Sequence, residues 1–198
     1  MDGYQRRTEL KKIKIRKAAF DLFTTYGVEK VSIVEIAKGA NVSPVTIYNY
    51  FGSKDELLKN VIAEFMNESI EKYDEILEGN SPFPEKMEKI IFDGNETAKK
   101  LNLDFIQSNV NNPLILEFMD DFYQKKTLPL MIKMIEQGKK EGYVDQNISF
   151  DAILIYIQLF KEALAQPDFF AHTNQAVLLD LNRLFYYGLM GKPQTDVE

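Results

Sequence analysis

The 198-residue chain contains no cysteine and a single histidine, His172. Disulfide and thiol chemistry are therefore excluded. The histidine falls in a link between two helical patterns and has no cysteines with which to complete a metal site. Long apolar runs are also missing, since none approaches the roughly 20 residues that span a bilayer. The first apolar cluster is interrupted by charge, so the N-terminus does not read as a secretion signal. A soluble, cytoplasmic protein with no membrane partner is expected. Catalytic spacing is absent too. Asp120, Asp121, Glu136 and Glu141 offer acids without a pattern, and Ser149 and Thr173 have no histidine at a known offset. An enzyme needs such a constellation, so no catalytic residue, metal or cofactor is expected. The chain shows no internal repeat and no low-complexity tract.

Charge is present but unevenly placed. Residues 1–60 hold 11 Lys and Arg against 7 Asp and Glu, a net of +4; the other 138 hold 13 against 23, a net of −10. The overall charge of −6 argues against nucleic acid only when the chain is averaged. Phosphate attraction is local, screened over about 8–10 Å in ordinary salt. Arg6, Arg7, Lys11, Lys12, Lys14, Arg16 and Lys17 lie ahead of and along the first helical pattern. For each of them singly, a solvated charged face is an equal reading.

The densest signal runs from Val31 to Lys59, where three helix starts follow one another. Ser32 precedes Ile33, Ile36 and Ala37, with Glu35 three positions on; Ser53 is likewise followed by Glu56. Both read as capping boxes, in which the serine oxygen and the acid satisfy each other's unpaired backbone donors. Between them Ser43 precedes Pro44, a residue suited to the first helical position. The helix from Pro44 to Phe51 is too short to be stable alone. Ile47 and Phe51 form its inward side, joined by Val42. Val45, Thr46, Asn49 and Tyr50 form an uncharged outward side of amide, hydroxyl and small apolar groups. Such groups read base edges and thymine methyls in the major groove. An ordinary short surface helix of an α-bundle accounts for these residues equally well.

Helical patterns fill the remainder. The first spans about Thr8 to Tyr26 and stops at Gly27. A long one follows Ser53 and ends at Gly79-Asn80-Ser81-Pro82. Another begins near Pro84 and meets Gly94, and 101–108 reads as a short helix closed by Asn111-Asn112-Pro113. Pro129 falls inside an apolar pattern, which predicts a kink or two joined helices. The last two helices, Phe150 to Leu164 and Asn174 to about Met190, carry more apolar residues than a single buried stripe requires. On the first of them, Ile153, Leu154, Ile157, Phe160 and Leu164 make one stripe, and Ile155, Leu159 and Ala163 a second. A central core helix and a helix buried partly by a partner both fit.

The segment IRKAAFDLFTTYGVEKVSIVEIAKGANVSPVTIYNYFGSKDELL resembles the N-terminal DNA-binding domain of the TetR/AcrR family of bacterial transcriptional regulators. The resemblance rests on Tyr26-Gly27, Ser32, Ile36-Ala37, Val42-Ser43, Thr46-Ile47-Tyr48, Tyr50-Phe51 and Ser53-Lys54 with Glu56-Leu57-Leu58. It covers roughly the first 60 residues. Asn41 stands where glycine is common in the family, and asparagine tolerates the left-handed backbone such a turn needs.

The resemblance implies an all-α protein. A three-helix helix-turn-helix DNA-binding domain (1–53) would precede a larger helical ligand-binding and dimerisation domain (54–198). It implies a homodimer on a palindromic operator of double-stranded DNA, released when a small apolar or amphipathic effector binds. Repression is the expected sign; an activator, or a DNA-organising protein without an effector, is the alternative. Carried over position by position, Pro44, Val45, Thr46, Asn49 and Tyr50 face the groove, with Ser43 at the helix start. Tyr48, Ser32 and Lys54 meet the phosphate backbone. With no arginine or lysine on the groove face, guanine readout would have to come from Arg6 or Lys11. The expected pocket lining is Phe65, Met66, Phe92, Phe105, Phe118, Met119, Phe122, Met131 and Met134, although these residues suit an ordinary core as well. The expected dimer interface is Ile153, Leu154, Ile157, Leu178, Leu181, Phe185 and Leu189.

Overall fold

The computed structural model describes residues 3–90, 112–164, 173 and 175–190, which are helical throughout apart from their connections. The helices are α1 (Gly3–Tyr26), α2 (Ile33–Ala40), α3 (Pro44–Phe51) and α4 (Lys54–Glu78), then α5 over 83–90. They continue with α6 (Pro113–Phe122), a π-helical turn (Tyr123–Thr127), α7 (Leu128–Lys140), α8 (Phe150–Leu164) and α9 (Gln175–Met190). The expected break at Gly94, the short helix over 101–108, Phe92, Phe105 and His172 lie outside the described residues. No described helix is long and apolar enough to cross a membrane.

One sequence expectation changes and another is narrowed. First, α1 begins at Gly3, five residues before Thr8. Residues 3–8 carry no apolar repeat to betray them, but Gln5, Arg6 and Arg7 are good helix formers. Second, at Pro129 the structure takes the form of two joined helices, with the proline in the first turn of α7 after the π turn. In a regular helix its ring would meet the carbonyl four residues back. The preceding turn widens, so that the Leu128 N–H bonds to the Tyr123 carbonyl five residues back, and α6 runs through the π turn into α7.

The chain packs as two units, Met1–Glu71 with Lys99–Asp121, and Lys72–Ala98 with Phe122–Glu198. The division falls inside α4. In the first unit the core is built on α1, where Ile15, Ala19 and Phe23 are fully buried, and closed by Ile36, Ile47, Leu57 and Leu58. Arg16 holds α4 against α1 with two parallel bonds to Glu64, 2.7 and 2.8 Å. Phe20 stacks on Phe65 beside it, ring centroids 5.5 Å apart.

In the second unit one apolar cluster joins Ile135, Val144, Ile153 and Ile157, and another joins Leu77, Phe83 and Met87. The last turn of α4 is held by two lysines. Buried Lys86 donates to the Leu77 carbonyl at 2.6 Å, one of the end carbonyls that lack a partner within the helix. Lys133 bridges Asp74 and Glu78 at 2.6 and 2.9 Å.

Gly138 marks the tightest approach in this unit. A Cβ there would lie 2.7 Å from Val144 Cγ2 and 2.8 Å from Phe83 Cζ. Gly138→Ala should therefore destabilise the protein by about 1–3 kcal/mol. Its urea midpoint should fall, and an unchanged midpoint would show that Phe83 can move aside.

Candidate nucleic-acid interface

Three serines set the geometry of the helix-turn-helix segment. Ser32 starts α2 with a complete capping box: the Glu35 N–H donates to Ser32 Oγ at 3.3 Å. In return Glu35 Oε2 accepts from the Ser32 N–H at 2.8 Å and from its hydroxyl at 2.7 Å. Ser43 caps α3 by accepting from the Thr46 N–H at 3.1 Å, and its hydroxyl lies 2.9 Å from that of Thr46. Ser53 caps α4 by accepting from the Glu56 N–H at 3.0 Å, while Glu56 spends its carboxylate on Lys59, 2.7 Å away. The turn between α2 and α3 passes through Asn41 at φ 54° and ψ 51°, the one non-glycine residue with positive φ among those described. Asparagine fills the left-handed position as its tolerance predicts.

This frame orients α3. Ile47 and Phe51 are buried on the first unit's core, which turns Val45 (65% exposed), Tyr48 (51%) and Asn49 outward. Pro44 and Thr46 are half-buried, and the Thr46 hydroxyl is engaged with the cap. Tyr50 is not on the outward face. It is half-buried and packs against the core; Tyr50 and Tyr48 lie on opposite flanks, each about 80° around the helix from the Ile47–Phe51 midline, and only the Tyr50 flank has the core beside it. The outward side of α3 is uncharged. Charge enters at its borders, where Lys54 opens α4 close enough to influence Glu35.

The effector and dimer sets fare differently. Phe65, Met66, Phe118 and Met119 belong to the first unit; Phe122, Met131 and Met134 belong to the second. Phe65 is committed to Phe20, and Phe122 is buried while Met119 is exposed. Met131 packs on the Ile135 cluster and Met134 on the Leu77 cluster. On α8, Ile153 and Ile157 were expected at a dimer interface, but each is only 3% exposed within its own unit. A second copy cannot reach them. Leu154, Leu181 and Phe185 are half-buried. The Phe185 ring sits between Tyr156 at 5.5 Å and Phe160 at 4.8 Å. The side chains of Leu178 and Leu189 lie outside the described part of the structure. The second stripe is the outward one: Ile155, Leu159 and Ala163 are exposed on α8, as is Leu184 on α9.

Residues 15–61 match the family model described as bacterial regulatory proteins, tetR family. The chain carries a TetR-family DNA-binding segment at these residues. It is a helix-turn-helix transcription regulator, similar to the HTH-type transcriptional regulator YhgD of Bacillus subtilis: 28% identical over 152 residues, 73% of this chain and 80% of that protein. Two solved structures share its fold. The fatty acid degradation regulator FadR of Bacillus halodurans has a TM-score of 0.64 at 21% identity, covering 91% of this chain and 98% of that one. FadR of Thermus thermophilus, a TetR-family repressor solved with lauroyl-CoA, has a TM-score of 0.59 at 20% identity and covers 94% and 99%.

Within this TetR-family segment the Glu35 carboxyl is held below its ordinary value. The Ser32 backbone N–H is the main cause, followed by the Ser32 hydroxyl, with the Lys54 charge adding to both. A depressed carboxylate contributes stability that is present above its unfolded value, near 4.5, and lost as pH falls through the folded one. Amide protection in α2, taken relative to the free-peptide exchange rate at each pH, should therefore hold down to the ordinary carboxylate range and fall only in stronger acid. Glu35→Gln should remove that acid step; if the step persists, another group produces it.

Proposed function

We propose that this regulator is a repressor that binds a palindromic operator as a homodimer and is released by a small apolar or amphipathic effector. The observation that carries the DNA-reading part is α3: a two-turn helix whose inward residues are buried and whose outward face is uncharged and polar-apolar. Val45 and Asn49 face the bases, with Asn49 taking adenine through its amide. Thr46 offers its methyl, and Ser43 and Pro44 bring the helix start toward the groove. Tyr48 at the flank, Ser32 at the α2 start and Lys54 at the α4 start meet phosphates, where free N–H groups favour an anion. The DNA-binding domain is 1–53, and the helices from 54 onward carry dimerisation and effector binding.

One short helix makes few base contacts, and two-fold repetition doubles them at half-sites about one helical turn apart. The dimer face is the outward stripe of α8, Ile155 and Leu159, together with Leu184 on α9. An amphipathic effector is supported by the Thermus relative, whose own ligand is lauroyl-CoA. α4 runs unbroken from Lys54 to Glu78, so a tilt of this helix would move α3. Reversing a 99:1 preference for the DNA-binding state would take about 5.5 kcal/mol of differential effector binding.

Site selection from random duplex DNA should return a palindrome. Asn49→Ala should then relax preference at one position per half-site, a loss of about 1–3 kcal/mol of discrimination. An unchanged preference would displace α3 from the groove. Tyr48→Ala with Lys54→Ala should instead weaken all sequences alike and lower the salt slope by about 0.9 per protomer. Ile155→Glu with Leu159→Glu should give a folded monomer in sedimentation; a dimer surviving that change would place the interface elsewhere.

A further inference from the structure

α1 begins at Gly3, yet its first buried residue is Ile15. For about three turns, roughly 18 Å at 1.5 Å per residue, the helix adds no fully buried residue to the core. Its outward face is strongly basic. Arg6, Arg7, Lys11, Lys14 and Lys17 are all exposed, and among the described residues none of them has a carboxylate partner. Lys12 and Arg16, by contrast, are paired with Glu9 at 3.3 Å and Glu64 at 2.7 Å. At 100° per residue the five unpaired cations spread over roughly 140° of the helix, on the side turned away from Ala19 and Phe23. Leu10 lies among them and Ile13 at their border, 51% and 47% exposed. A face meant only for water has no use for aliphatic residues set within and beside five cations.

We propose that this face of α1 lies along the phosphodiester backbone of the duplex, outside the bases read by α3, and lengthens the footprint without sequence preference. The inference rests on the DNA-binding reading of α3. Charge complementarity selects the occupant: five cations strung over about 17 Å of helix face a strand that carries one phosphate per ~3.4 Å of duplex axis. Leu10 and Ile13 then rest on the C–H edges of the sugars. A helix about 10–12 Å across does not enter a minor groove about 6 Å wide. The helix itself therefore stays outside that groove, with Arg6 and Lys11 on the phosphates. An anionic bilayer is the other extended polyanion. Binding of that kind grows with buried apolar area, and two aliphatic residues supply little.

The test uses the full chain and a random-sequence duplex several helical turns long, with affinity measured against salt. Arg6→Ala, Arg7→Ala and Lys11→Ala together, with helicity checked by circular dichroism, should flatten the log–log slope by about 2.7 per protomer. The preference for a selected operator over random duplex should be unchanged. The charge-keeping variant Arg6→Lys, Arg7→Lys, Lys11→Arg should retain the wild-type slope. A slope change below about one unit, with wild type still binding its operator, overturns the proposal and leaves the role of α3 standing. Failure of wild type to bind any duplex removes both. Loss of binding to phosphatidylserine vesicles in the triple-alanine variant, with the DNA slope intact, would reassign the face to a membrane and overturn the proposal as well.

Discussion

A helix of eight residues is marginal in water because nucleating its first turn costs more than its few hydrogen bonds return. α3 persists because Ile47 and Phe51 are driven into the first unit's core, each contributing about 1.5–3 kcal/mol. Its ends are held as well: Ser43 and Pro44 start it, and Gly52 stops it at φ 80°, where a side chain would be strained. The outward set of Val45, Tyr48 and Asn49 follows from that burial. Everything else in the unit serves the same end. α1 supplies the floor of the core, α2 lies between α1 and α3, and the Arg16–Glu64 pair fixes α4 to α1.

The second unit is organised differently. Among the described residues it holds two apolar clusters, and polar ties hold the last turn of α4. The Lys133 ammonium is raised above its ordinary value, first by its bond to Asp74 and then by that to Glu78. Buried Lys86 terminates the helix by occupying the Leu77 carbonyl. The same helix is thus fastened by a bidentate ion pair within one unit and by two lysines within the other. The aromatic run Tyr156–Phe185–Phe160 joins α8 to α9, and Gly188 leaves room for it: a Cβ there would fall 2.7 Å from the Tyr156 hydroxyl.

Much of the first unit was legible because its signals are local. Ser32 with Glu35, Ser43 with Pro44, and Asn41 in its turn each act through bonds spanning a few residues, and each is found where its chemistry required. Tyr50 was misplaced for a reason equally physical. At the flank of a short helix, polarity does not decide whether a ring turns toward solvent or toward the core. The first five residues of α1 went unseen because they have no apolar period. At Pro129 the pattern leaves a kink and two joined helices open, since a wider turn relieves the clash as well as a kink does.

The sequence by itself determined the helical class, the three capped starts and the uncharged character of α3, since capping and turn chemistry are settled between neighbours. Tertiary structure alone decided which of two apolar stripes on α8 is spent inside. Ile153 and Ile157 meet Ile135 and Val144, leaving Ile155 and Leu159 outward. Both stripes are apolar enough to be buried, and the position of the packed neighbour decides which one is. The exposure of Leu10 and Ile13 was settled the same way. Periodicity marks a residue as apolar, but a core must be present on that side to bury it.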